Sequence, residues 1–214
     1  MFPACAPCNR ATRFDELVVA AMSRVYPDPK TLAQMDEFGR ILKAIKNNRP
    51  EVLIEMWPSR RHLRKAKSAP WAERHVALGE PPPVLSFGGP LVGQSLRAFA
   101  RKLFCALHYK EFSQIIPRQG HIGWRWVSNV QALEGKLPDE LTSLMQMAPK
   151  AKRASRDLSD QFSYSFVRAD EGDLTAYYAA FRFSFAMLGV VSTSGTPLEF
   201  IKEGELLKPL APSH

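Results

Sequence analysis

The sequence predicts an α+β protein, with helices in its N-terminal part and a helix plus an antiparallel sheet in its C-terminal part. Two kinds of pattern indicate this class. In the N-terminal part, apolar residues recur at helical spacing. Later, the segments His121–Ser128 and Gln161–Arg168 alternate large apolar residues with smaller or polar ones, as half-buried strands do. With 214 residues, the chain can bury one or two cores.

Three amphipathic helices are predicted between residues 12 and 57. The first follows Thr12, which precedes two acidic residues as in a capping box, and extends to Val25. The second begins after Thr31, another residue favoured as an N-cap, and ends at the asparagine pair before Arg49. Pro50 suits the first turn of a short third helix. These helices can bury their apolar faces against one another.

The region from residue 59 to residue 93 differs in composition. It opens with a basic run and continues with Pro81–Pro83 and Gly88–Pro90, and proline and glycine at this density interrupt regular structure. This composition predicts a linker or a long ordered excursion. The predicted organisation is therefore a knuckle and helical region at 1–58, a basic linker at 59–93 and an α+β domain of unknown role at 94–214.

The C-terminal domain is predicted to combine helices with a β-hairpin. Its segments, in chain order, are a helix at 94–109, a strand at 121–128, a short helix at 138–145, and strands at 161–168 and 174–182. Asp170–Asp173 supplies a polar turn between the last two strands, which are therefore expected to be antiparallel. Phe183–Val191 fits either a further strand or the buried end of a helix.

Charge, cysteine count and hydropathy limit the classes of protein to which the chain can belong. The chain has 29 Lys and Arg against 21 Asp and Glu, a net charge of +8 and a pI near 9.6. This balance fits nucleic-acid binding, but it also occurs in proteins that bind none. Three cysteines are too few for a disulfide framework. Residues 1–10 lack the apolar stretch typical of a secretory leader, and the sequence contains no apolar segment of bilayer length, so we expect a soluble, cytoplasmic protein.

Two cysteine-containing pairs are candidate zinc ligands. Cys5 and Cys8 form a Cys-x-x-Cys turn, which places two thiolates on one side of a knuckle and suits tetrahedral zinc. A redox pair is the alternative, although no βαβ strand precedes it. Cys105 and His108 lie three apart on the predicted long helix and share a face, so the four would complete a Cys₃His set. The alternative is that Cys105 is a small buried residue and His108 is hydrogen-bonded. A further possibility is a homodimer in which Cys5 and Cys8 of the two copies share one zinc ion.

The residues at 5–10 (Cys-Ala-Pro-Cys-Asn-Arg), followed by a helix, resemble the second zinc knuckle of the HNH endonucleases. A looser similarity to bacterial HNH-containing proteins covers residues 2–27 and returns at 107–110 and 157–162. In this family two knuckles hold a structural zinc ion, and a ββα-metal motif between them carries the catalytic histidine. The resemblance implies that both knuckle cysteines are zinc ligands and that DNA is the partner.

The sequence also departs from the family pattern. The first cysteine pair and the catalytic histidine segment have no counterpart, and none of the five histidines matches the missing position. We therefore expect a nucleic-acid-binding protein, DNA being the favoured partner, that does not cleave on its own. Two alternatives stay open. One is a non-catalytic protein-interaction or accessory module whose aromatic sheet presents the partner surface, and the other is part of an active, metal-dependent HNH nuclease with its remaining half encoded upstream.

The basic run supplies the candidate phosphate contacts, which are Arg60, Arg61, Arg64, Lys65 and Lys67. If the run is helical, one side would contact phosphates while Leu63 faces the core. The alternative is a solvated face beside a linker. Trp57 and Trp71 flank the run, and they either stack on unpaired bases or cover a core edge.

The other patterns form no catalytic arrangement. Trp124 and Trp126 share a strand face, for which a buried face packed on the long helix is favoured over a base-stacking platform. The acidic residues near Asp157 and Asp170 indicate capping and a turn, without a histidine beside them. Gly88–Gly89 lacks the lysine and hydroxyl residue of a phosphate-binding loop. We therefore predict no catalytic residue.

Overall fold

The structure is a computed structural model of the chain. The residues that the structure describes are 6–25, 31–69, 84–133, 152–153, 156–157, 160–170, 172–194, 198 and 205–209. The chain divides into two units, one formed by Phe14–Leu96 and the other by Met1–Arg13 with Arg97–His214. These bounds differ from the predicted boundaries after residues 58 and 93. The predicted short helix at 138–145 lies outside the described residues.

Helices dominate the first half of the described chain and strands the second. The helices are α1 (Ala6–Ala11), α2 (Arg13–Met22), α3 (Leu32–Asn48), α4 (Pro50–Met56), α5 (Arg60–Lys67), α6 (Pro90–Phe112) and α7 (Asn129–Leu133). The strands are β1 (His121–Ser128), β2 (Lys152–Arg153), β3 (Arg156–Asp157), β4 (Phe162–Arg168), β5 (Leu174–Phe181), β6 (Phe185–Ser192) and β7 (Leu206–Leu207). This arrangement confirms the predicted α+β class. Within the described residues, no helix has the length and apolarity needed to cross a membrane.

The starts of α3 and α4 follow from their first residues. The Thr31 hydroxyl accepts a hydrogen bond from the backbone N–H of Gln34 at 3.2 Å, and the Gln34 side chain accepts one from the backbone of Thr31 at 3.3 Å. This reciprocal pair is a capping box. Pro50 occupies the first turn of α4, where its missing N–H would have no intrahelical partner. Both predicted helix starts are confirmed.

The unit Phe14–Leu96, called here the helical unit, buries apolar side chains from each of its helices. Those with almost no exposed surface are Val18, Val19, Ala21 and Met22 of α2, Ile45 of α3, Val52 and Met56 of α4, Ala66 of α5, and Val92 and Leu96 of α6. Removal of this apolar surface from water is the main favourable contribution to folding of the unit.

Glu55 of α4 fixes the first turn of α6 within the helical unit. Its carboxylate accepts hydrogen bonds from the backbone N–H groups of Leu91 at 3.0 Å and Val92 at 2.8 Å. These donors have no intrahelical acceptor, so the carboxylate satisfies them and also stabilises the positive end of the helix dipole. Gly89 permits this approach, because a Cβ there would overlap the carboxylate. The last part of the predicted linker is therefore an ordered excursion.

The other unit, called here the sheet unit, contains a five-stranded antiparallel sheet with the strand order β4-β5-β6-β1-β7. Its register places Phe166, Tyr177, Gly189 and Trp124 side by side across four strands. Because directly paired residues of an antiparallel ladder point to the same side, these four share one face. The segment Phe183–Val191, which the sequence left undecided, contains strand β6.

Helix α6 covers this face through three aromatic contacts. The ring centroids are 5.6 Å apart for Phe99 and Phe181, 6.0 Å for Phe104 and Tyr177, and 5.6 Å for Phe112 and Phe166. Gly189 of β6 allows the close approach, because a Cβ there would overlap the ring of Phe104. Trp124 on the same face is only 9% exposed, which confirms the predicted buried sheet face at this residue.

Candidate nucleic-acid interface

The basic run of the sequence forms helix α5. Ser59 caps it, because the Ser59 hydroxyl accepts a hydrogen bond from the backbone N–H of His62 at 3.2 Å. Ala66 is buried and Leu63 is half-buried, so one side of α5 faces the interior of the helical unit, as predicted for a helical run. All five candidate phosphate-binding side chains are exposed, namely Arg60, Arg61, Arg64, Lys65 and Lys67.

The positive charge of α5 has no counter-charge among the described residues. The sequence contains no Asp or Glu between residues 56 and 72, and none of the five cations forms an ion pair with another described residue. Elsewhere in the same unit such pairs do form. Arg24 contacts Glu37 at 2.5 Å, and Arg49 contacts Glu51 at 2.6 Å. The exposed face of α5 is therefore a concentrated patch of positive charge.

Part of the charge pattern of α5 opposes helix formation. Arg60 and Arg64, like Arg61 and Lys65, are four positions apart, and each such like-charged pair destabilises a helix by about 0.2–0.5 kcal/mol. The first turn contains two arginines and no acidic residue, which opposes the helix dipole. The three cations of the last turn suit the negative end of the dipole, so the penalty comes from the first turn and from the like-charged pairs, and an anionic partner would remove it.

Trp57 lies three positions before α5. Its backbone N–H donates to the carbonyl of Ile54 at 3.2 Å and so closes the last turn of α4. Its side chain is 76% exposed, so the core-edge interpretation does not describe it. Trp71, the other tryptophan that flanks the basic run, lies outside the described residues.

The predicted zinc ligands are described only in part. Cys5 lies outside the described residues, and Cys8 is described only as backbone of α1. Cys105 and His108 of α6 are both buried. The part of the chain that the structure describes contains no group of three or more His, Cys, Asp and Glu residues able to hold a metal ion. The Cys₃His set stays a prediction, and nothing in the function proposed below depends on it.

His108 lies between α6 and the sheet. Its Nδ1 is 3.2 Å from the hydroxyl of Tyr177, and its ring centroid is 5.0 Å from that of Phe112. Burial, and then the nearby charge of Arg168, lower the pKa of His108, which favours the neutral imidazole. Burial likewise raises the pKa of Tyr177, so the phenol keeps its proton. The sequence placed Cys105 and His108 on one face of the predicted helix, and both side chains are buried, with His108 hydrogen-bonded as in the alternative to a zinc site.

A polar cluster at the end of α6 was not predicted from the sequence. The hydroxyl of Tyr164 in β4 donates a hydrogen bond to Glu111 at 2.6 Å and contacts the ammonium of Lys110. Burial and the bond to Glu111 raise the pKa of Tyr164. The three side chains bind one another, so the cluster holds α6 against β4. Tyr164 lies 53 and 54 positions from Glu111 and Lys110 in the chain, and only its strand face was visible in the sequence pattern.

Comparisons with known proteins assign no family. No family model, curated protein or solved structure matches this chain. The described features that bear on function are the exposed charge of α5 and Trp57 beside it.

Proposed function

We propose that the protein binds nucleic acid, with DNA the favoured partner, through the exposed basic face of α5. The observation that carries this proposal is the set of five exposed cations on a helix of eight residues, none of them paired with a described acidic residue. The net charge of +8 and the resemblance at 5–10 to an HNH knuckle support it. The proposal includes a cytoplasmic location and no cleavage by this chain on its own.

The chemistry of the face suits the nucleic-acid backbone. Arg61 and Lys65 are neighbours on the outward side of α5, because residues four apart lie one above the other on a helix. Arginine can bind a phosphate through two parallel hydrogen bonds, and lysine binds it as a point charge. Each neutralised phosphate releases counterions, so affinity must fall as salt rises. Phosphate contacts of this kind position a nucleic acid without reading its sequence.

The test is a salt titration of binding, measured by fluorescence anisotropy with labelled 20-nucleotide single-stranded DNA and the matching duplex. If all five cations contact phosphates, the logarithm of duplex affinity falls against the logarithm of salt concentration with a slope of about −4.5. The double variant Arg61→Ala/Lys65→Ala reduces the steepness of that slope by about two. Absence of binding at low salt, or affinity that does not change with salt, contradicts the proposal.

A matched control separates the α5 face from net charge. Lys43 and Lys46 of α3 are also exposed and belong to the same unit. The double variant Lys43→Ala/Lys46→Ala removes the same charge and is expected to leave the salt slope near that of the parent protein. Equal losses in the two double variants would show that the overall charge attracts nucleic acid without a defined interface on α5.

A further inference from the structure

Trp57 is held in an exposed position by anchored neighbours. Met56 before it is 1% exposed and Pro58 after it is buried, while the Trp57 side chain is 76% exposed. Its backbone is fixed further by the hydrogen bond to Ile54. An indole in this position leaves a large apolar surface in water that burial would favour removing. Since packing within the helical unit does not cover the ring, a partner that supplies a flat apolar surface would gain from covering it.

The position of Trp57 relative to α5 identifies that partner. Three peptide units separate its Cα from the Cα of Arg60, so the two lie no more than about 11 Å apart. A ligand that reaches both must present a flat apolar ring and negative charge within that distance. An unpaired nucleotide has both, because each base has a π face and each link carries a phosphate. In a duplex the base faces are covered by their stacked neighbours, so the indole could reach them only by unstacking the helix.

We infer that the interface on α5 takes single-stranded nucleic acid, with one base stacked on the indole of Trp57 and the adjoining phosphates on the cations of α5. This inference rests on the proposed function and adds the strand state of its ligand. Stacking on an aromatic side chain tolerates any base, so the site has little sequence preference.

The experiment compares single-stranded and duplex DNA on the full chain and on three single variants. Parent protein is expected to bind a labelled 20-nucleotide thymidine oligomer more tightly than a 20-base-pair duplex at equal salt. Trp57→Ala is expected to weaken single-strand binding at least about fivefold, and Trp57→Phe less, because Phe keeps a stacking ring. Duplex affinity is expected to change little in both. Ile54→Ala is the matched control, because Ile54, three positions earlier in α4, is also 76% exposed but cannot stack.

The outcomes distinguish failure of the stacking inference from failure of the proposed nucleic-acid binding. Binding of neither DNA by parent protein overturns both. Salt-dependent binding with equal affinity for single strand and duplex, or with no loss in Trp57→Ala, overturns the stacking inference and leaves the α5 interface standing. A loss in Ile54→Ala equal to that in Trp57→Ala also overturns it. Far-UV circular dichroism of each variant shows that it has folded, as expected for substitutions of exposed side chains.

Discussion

The two units differ in whether their cations contact aromatic rings. In the sheet unit, the ammonium of Lys110 lies 4.3 Å from the ring centroid of Tyr164, and the guanidinium of Arg168 lies 4.3 Å from that of Phe112. In the helical unit, the cations of α5 and the ring of Trp57 are neighbours in the chain but are exposed to solvent. The first arrangement stabilises the unit that contains it. In the second, the cations and the ring do not stabilise the helical unit. Binding of a partner explains their exposure better than folding does.

The largest expected effect tests how closely α6 and the sheet pack. Gly189→Ala places a Cβ against the ring of Phe104, which is fully buried and cannot move into solvent. Overpacking at such a site costs about 1–3 kcal/mol. We therefore expect the free energy of unfolding, measured by urea denaturation and circular dichroism, to fall by that amount.

A glycine of the helical unit supplies the contrast. Gly39 in the interior of α3 is exposed, and a Cβ there meets nothing within 4 Å. Gly39→Ala is expected to stabilise the protein by about 0.5–1 kcal/mol, because alanine restricts the unfolded chain and favours the helix. If both substitutions were neutral, the contact between Phe104 and Gly189 would not determine the packing of α6.

Local signals in the sequence predicted much of the fold. The capping residue Thr31 and the helix-starting Pro50 are strong local signals, and both mark real helix starts. Strand β1 also has the predicted bounds. Strand β6 could not be recognised by alternation because it is central and apolar residues occupy both of its faces, which removes the period of two.

The missed features depend on contacts between distant residues. Helix α6 begins at Pro90, four positions before the predicted start, because Glu55 of another helix satisfies its first N–H groups. The contact of His108 with Tyr177 joins residues 69 positions apart, so the sequence pattern could not identify the partner. For the candidate interface, the sequence predicted the basic residues and the possibility that they form a helix. Only the structure shows that Trp57 is exposed beside them.

The next prediction concerns the effect of pH on the buried His108. Burial lowers the pKa of this imidazole in the folded protein below the value near 6.5 expected in the unfolded chain. The unfolded state therefore binds the proton more readily as the pH falls. The contribution of His108 to the free energy of unfolding is complete above about pH 6.5. It decreases as the pH falls from there through the folded-state pKa, by at most about 1.4 kcal/mol per pH unit.

A variant that cannot titrate isolates this effect. His108→Gln keeps a polar side chain near Tyr177 but has no proton to gain, so its stability is expected to fall less than that of the parent protein between pH 7 and pH 5. Urea denaturation at each pH measures the difference. Parallel pH profiles for the two proteins would show that His108 carries the same charge in the folded and unfolded states.

The smallest expected change in stability belongs to a variant of α5. It tests the role of the exposed cations most directly, because stability and DNA affinity should change in opposite directions. Arg61→Glu places a negative charge in the first turn of α5 and a favourable partner four positions before Lys65. Together these changes are expected to stabilise the protein by about 0.5–1 kcal/mol. The same variant puts a repulsive charge on the proposed phosphate face, so affinity for DNA at low salt is expected to fall by about tenfold or more.

The charge-matched control is Lys43→Glu on α3, which changes the net charge equally away from α5. It should leave DNA affinity closer to that of the parent protein. If Arg61→Glu instead lowered stability, the cations of α5 would have to be engaged in folding. If it left affinity unchanged, the basic face would not be the interface. A more stable protein that binds less tightly is the result that only a functional role for the α5 charges explains, since helix stability by itself favours an acidic residue at this position.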